Sequence, residues 1–374
     1  MLPLKTLSKA GLATALILAF SNGFSEQERS TDSGMREAPR VVIDRPKPTF
    51  MLSERDKRVH GLKPFQDLVD KAAAGSVLRP PPGVYAGPVV IDKPLIIEGN
   101  NQVTIDSGDK GTVMVLNASN SVLHGLHLTG SGDSHDSDDS CLDVRGNNNV
   151  VENIKADNCL FGLDFKQSNN NVIRGNEIRS KPLDLGVRGD GLRLWYSNDN
   201  IVEKNQIIDS RDMVAWYSHR NTFRDNLGRR SRYSIHFMFA NDNVVERNQF
   251  YDNAVGVYFM YTEGGMIRNN IISHATGATG MGIGFKEASG AIIANNELIY
   301  CGVGIGSDLS PFQPDSTIEI RGNRFAYNGI GILFNSETGG NNMVDNVFEG
   351  NLTQVAYGGR GDNNNSPRNT WLGN

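Results

Sequence analysis

The chain has 374 residues, and 37 Lys and Arg against 42 Asp and Glu give a net charge of −5. That balance leaves no basic footprint for nucleic acid. The 38% hydrophobic content with ordinary charge excludes a disordered chain, and no apolar run beyond Phe20 reaches membrane-spanning length.

At the N-terminus, Lys5 and Lys9 precede the apolar stretch Ala10–Phe20, which is too short to cross a bilayer. This predicts a signal peptide over 1–23 and export of the body. Residues 24–59 are charged, Pro-containing and aperiodic, and read as a flexible leader. Over 62–75, Phe65, Leu68, Val69 and Ala72 recur at helical spacing before Gly75. A short helix here would cap the open end of a solenoid. Two short strands follow in V-V-I-D-K-P-L-I-I-E-G.

From there a repeat of roughly 21 to 29 residues takes over, marked by Asn153, Asn176, Asn205, Asn226, Asn248, Asn270, Asn296, Asn323 and Asn346. About 13 residues before these asparagines run alternating segments such as G-L-D-F (162–165), G-L-R-L (191–194) and G-V-Y-F (256–259). Alternation means a strand with one buried face. The period is too short for a two-helix repeat, and the fixed leucines of a leucine-rich repeat are absent. The predicted fold is all-β: a single-chain right-handed parallel β-helix of about 11 coils over 60–374. The repeated Asn reads as structural, because Asn tolerates left-handed backbone and its amide can bond to the next Asn in a stack. Cys141, Cys159 and Cys301 are odd in number. Cys141 and Cys159 could bridge neighbouring coils, but the favoured reading is three small buried hydrophobes.

If Leu163, Leu192, Ile235, Val257 and Ile283 point inward, one outward column reads Asp143, Asp164, Arg193, Val214, His236, Tyr258. The next reads Arg145, Lys166, Trp195, Trp216, Met238, Met260, Lys286. Coils stacked about 4.8 Å apart would bring such residues together. The stripe is charged at one end and aromatic and sulfur-bearing at the other. His236, Met238 and Met260 form a soft donor set suited to Cu(I), flanked by Trp195, Trp216 and Tyr258 as a platform for a partner or ligand. Exposed methionines also mark docking surfaces, so both readings stand. The charged end allows a polysaccharide-active alternative, a uronate lyase, an epimerase or a carbohydrate-binding module. There Asp143, Asp164, Lys166 and Arg193 would supply acid–base groups and a cation for uronate. The acidic turn Gly130–Ser140 lacks the regular ligand spacing of a Ca²⁺ loop and reads as solvated.

Several blocks are similar to the NosD family. They are L-R-P-P-P-G-V-Y-A-G-P-V-V-I-D-K-P-L-I-I-E-G (78–99), G-D-G-L-R-L-W-Y-S-N-D-N-I-V-E-K-N (189–205), R-Y-S-I-H-F-M-F-A-N-D-N-V-V-E-R-N (232–248), V-G-V-Y-F-M-Y-T (255–262), G-F-K-E-A-S (284–289) and G-N-L-T-Q-V-A-Y (350–357). The resemblance covers about residues 60–374. It implies a periplasmic, non-enzymatic accessory protein that serves maturation of the copper centres of nitrous oxide reductase. It also implies an ABC-type permease and ATPase as partners, with a copper chaperone and the reductase itself as further candidates, and membrane contact only through the permease. His236, Met238 and Met260 fall in the family's characteristic segment; their role as copper ligands is inferred from the columns. Family members continue past the N-x-W motif into an acidic, Gly-rich tail, whereas this sequence stops at N-T-W-L-G-N (369–374).

Overall fold

Short strands with alternating burial stack into parallel ladders in the computed structural model, which describes residues 58–336, 339–358 and 368–374. The expected signal peptide and nearly all of the expected leader lie outside the described residues. Arg58, the start of the described chain, is already anchored by ion pairs to Asp106 and Asp109. Among the described residues, no helix is long and apolar enough to cross a membrane.

Among the described residues, one sheet has twelve strands and a second has 23, and every strand pairing is parallel. Each coil contributes one strand to the first sheet and, over most of the solenoid, two to the second. The chain therefore winds as a right-handed parallel β-helix, with twelve strands in the first sheet where about 11 coils were expected. The core is a stack of inward residues. Leu163, Leu192, Ile235, Val257 and Ile283 are each at most 1% exposed, and Phe237, Phe259 and Phe285 contact edge to face at 4.8 and 5.9 Å. The N-terminal helix is shorter than the pattern suggested, Gln66–Lys71. It still buries Val69 and follows Phe65, whose ring packs at 5.4 Å against Tyr85.

The asparagine ladder is continuous from Asn176 to Asn374. The side chain of Asn205, for example, donates to Asn226 Oδ1 at 3.0 Å and to the Ile173 carbonyl at 2.9 Å. Its own Oδ1 accepts from the backbone and side chain of Asn176 at 3.0 and 2.8 Å. A buried amide is thus satisfied on all sides, which is what a buried polar group requires. Two details differ from expectation. Asn153 is exposed and off the ladder; the backbone N–H of Ile154 makes the bond to Asn176 at that coil. The left-handed residue is also the one before each ladder Asn, for example Lys204, Asp225 and Arg247 at φ 54 to 56°. The Asn itself supplies hydrogen bonds, while its predecessor makes the bend. A second ladder five residues earlier, through Asn171, Asn200, Asn221 and Asn243, holds the opposite end of each three-residue strand.

Cys141 and Cys159 form a disulfide, with Cα atoms 5.5 Å apart. This overturns the expectation of three unpaired cysteines. The two thiols meet because the coil folds back within an 18-residue separation. Cys301 remains a buried thiol, and burial pushes its pKa up to about 11.

Candidate functional site

Both outward columns have the register read from the sequence. Asp143, Asp164, Arg193, Val214, His236 and Tyr258 are successive partners across the twelve-stranded sheet. So are Lys166, Trp195, Trp216, Met238, Met260 and Lys286. The first column is not an exposed stripe, however. Asp143, Asp164, Arg193, Val214 and His236 are buried, while the second column is half-buried except for exposed Arg145. Cover comes from side chains outside the columns. Asp138, in the acidic turn, reaches over the charged end, and Tyr233 lies over His236.

At the charged end the groups neutralise one another. Arg193 grips both oxygens of Asp164 at 2.9 and 2.5 Å and reaches Asp138 at 2.8 Å. Lys166 Nζ lies 3.1, 3.3 and 3.1 Å from Asp138, Asp143 and Asp164. Arg145 takes both oxygens of Asp143. Phe161 sits under the Arg193 guanidinium at 4.7 Å. The carboxylates named for acid–base work are therefore tied into ion pairs. Two other carboxylates of the acidic turn are also engaged, Asp133 by Lys181 and Asp139 by Ser134 and Ser137, which donate to it. Among the described residues, no group of three or more His, Cys, Asp or Glu side chains could hold a metal ion.

The soft end is the reverse. His236 is 7% exposed, yet among the described residues neither ring nitrogen has a hydrogen-bond partner. Nor does the indole nitrogen of Trp216, whose ring meets His236 edge-on at 6.1 Å. Tyr233 stacks on the imidazole at 4.8 Å, and Tyr258 approaches at 6.1 Å. Burial lowers the His236 pKa to about 4 and outweighs Asp212, which pulls it up; Arg232 and Arg211 push the same way as burial. The imidazole is therefore neutral at ordinary pH, the form that binds metals. Burial also pushes the Tyr258 phenol up to about 12. Met238 lies two residues from His236 on the same strand and face and pairs in register with Met260. Beside this cluster, burial raises the Asp190 carboxyl although Arg211 lies at 3.0 Å, and one of its oxygens has no partner.

One aromatic feature escaped the sequence reading. Tyr196, Tyr217, Phe239 and Tyr261 each follow a residue of the second column and stack face to face at 4.7, 5.2 and 4.8 Å. All four sit at φ 49 to 54°, so the same left-handed turn recurs on four coils. The signal was an aromatic residue at a fixed offset in each repeat. The stacked faces are occupied by one another, so this ladder offers edges and hydroxyls. Trp195 and Trp216 likewise meet edge to face at 5.6 Å. A depression of about 590 Å³ lies away from both columns on the 23-stranded sheet, beside Thr104, His127 and Lys155.

Solved structures share the fold. The A-module of mannuronan C-5 epimerase AlgE4 from Azotobacter vinelandii aligns at TM-score 0.53 and 15% identity, covering 82% of this chain and 94% of that one. The A-module of AlgE6 from the same organism aligns at TM-score 0.53 and 16% identity, with 79% and 92% coverage. A double mutant of the periplasmic alginate epimerase AlgG aligns at TM-score 0.52 and 12% identity, with 80% and 84% coverage. At such identities the likeness is one of architecture. No curated protein sequence matches the chain. The family model described as periplasmic copper-binding protein (NosD) matches residues 178–372, just over half of the sequence and all of the soft end. The chain belongs to the NosD family.

Proposed function

We propose that this protein is a periplasmic accessory factor that handles Cu(I) at His236, Met238 and Met260 during maturation of the copper centres of nitrous oxide reductase. The observation that carries this reading is the buried imidazole of His236, neutral and without a partner at either nitrogen. A buried polar group without a hydrogen bond costs stability, and one that persists beside two thioethers suits a soft cation. Thioether and imidazole donors favour Cu(I) over hard divalent ions. The residues present thus fit the metal: the two methionines would supply sulfur and His236 a nitrogen. The aromatic rings of Tyr233, Tyr258 and Trp216 would exclude water, and water exclusion favours the cuprous ion in contact with soft donors.

Family membership supports the periplasmic assignment, and so does the Cys141–Cys159 disulfide, since such bonds persist in oxidising compartments. The stacked aromatic ladder beside the methionines is a half-exposed apolar surface where a delivery partner or an ABC-type permease would dock. Titration of the reduced protein with Cu(I) against a chelating competitor tests the metal site. Wild type should hold one Cu(I), and the Met238→Ala/Met260→Ala variant should lose most of that affinity. Equal affinity in the two proteins would remove the metal from this face and leave only a docking role.

A further inference from the structure

The acidic turn contributes one carboxylate that the β-helix does not need for its own coils. The sheet supplies Arg145, Lys166 and Arg193 against Asp143 and Asp164, which leaves one positive charge in excess. Asp138 cancels that excess from above, 2.8 Å from Arg193 Nη2 and 3.1 Å from Lys166 Nζ. Asp143 and Asp164 are buried, but the Asp138 side chain is 29% exposed and stands on a turn with left-handed backbone, φ 53°. Phe161 covers one face of the Arg193 guanidinium, and Nη2 is the nitrogen that meets the turn through Asp138. The turn has other anchors: Asp139 accepts from Ser134 and Ser137, and His135 bonds the Val187 carbonyl at 3.1 Å. These anchors keep the turn attached when Asp138 is released, while the loss of its ion pairs loosens residues 136–139.

We propose that Lys166 and Arg193 form a carboxylate-binding site, that Asp138 occupies it in cis, and that an external carboxylate competes with Asp138 for it. The Arg193 fork is held by Asp164, but its Nη2 also reaches Asp138 and converges there with the Lys166 ammonium, and two cationic donors on one carboxylate make charge-assisted hydrogen bonds. The ligand class is a small carboxylate, free or carried on a sugar acid. Burial favours the neutral form of Asp138, but Arg193 and then Lys166 outweigh it and hold the carboxyl below its ordinary value. Mild acid therefore does not empty the site, and a competing anion is required. An internal competitor lowers apparent affinity by the fraction of time it occupies the site.

Calorimetric titration with acetate and with glucuronate tests this. Asp138→Asn should bind at least roughly tenfold more tightly than wild type, and adding Lys166→Met should abolish the gain. Equal gains for both probes would make the site a reader of bare carboxylate, and a larger gain for glucuronate would assign it to sugar acids. A folded Asp138→Asn protein that binds neither probe better than wild type overturns the proposal. Wild type offers an independent check should the variant misfold. High glucuronate should speed amide exchange over residues 136–139, and unchanged exchange at saturation contradicts displacement of the turn.

Discussion

The two ends of one outward face show how a repeat fold separates stability from function. At the charged end, Asp138, Asp143 and Asp164 are matched by Arg145, Lys166 and Arg193. At the soft end, about 4.8 Å per coil and a few coils further along, His236 is buried and Trp216 half-buried, with ring nitrogens that have no partner among the described residues. The scaffold beneath both is the same parallel sheet, in which successive coils pair strand to strand. Only the outward residue type changes. Paired groups lock their coils together, whereas unpaired groups weaken the fold locally and remain available for a ligand.

The largest effect should come from breaking the charged end. Asp164→Ala leaves Arg193 and Lys166 partly uncompensated in a buried network, and unfolding should cost about 4 kcal/mol less in a urea titration. If the loss were negligible, the network would be ornamental and the contrast would fail. Reduction of Cys141–Cys159, whose first cysteine shares a strand with Asp143, should lower stability by about 3 kcal/mol for a loop of this size. The same reductant should leave Cu(I) affinity at the distant soft end unchanged.

The soft end should respond to acid. The folded pKa of His236 is about 4 against an ordinary value of 6.5, so below pH 6.5 the unfolded chain takes up a proton that the fold refuses. The stability present above pH 6.5 is lost as pH falls, and the loss levels off near pH 4 at about 3 kcal/mol. His236→Leu should remove this slope from a series of urea titrations. At neutral pH the same substitution should stabilise the protein by about 1 kcal/mol, because an unsatisfied polar ring gives way to an apolar side chain. A loss of stability instead would mean that the imidazole has a structural partner.

Much of this geometry was readable in the sequence, and the reasons are physical. Period-two alternation fixes which residues face outward, and the asparagines count the coils. The columns through Asp164, Arg193, His236 and Met238 therefore emerged in the correct register. The register survived even where an irregularity shifts the pairing between Asp212 and Val214. What failed depends on turns. Asn153 imitates a ladder residue because Asn also suits the left-handed position beside it. The burial of His236 and Asp164 could not be read, since Tyr233 and Asp138 reach them from segments whose path no periodicity encodes. The Tyr196 to Tyr261 stack was visible as a recurrence, but a position just after a strand carries no expectation of facing its counterpart on the next coil.

X-ray absorption of the Cu(I)-loaded protein tests the central claim most directly. The account predicts sulfur and one imidazole nitrogen around the metal in wild type, with the sulfur signal gone in Met238→Ala/Met260→Ala and the nitrogen signal gone in His236→Leu. A copper environment unchanged by either substitution would contradict it.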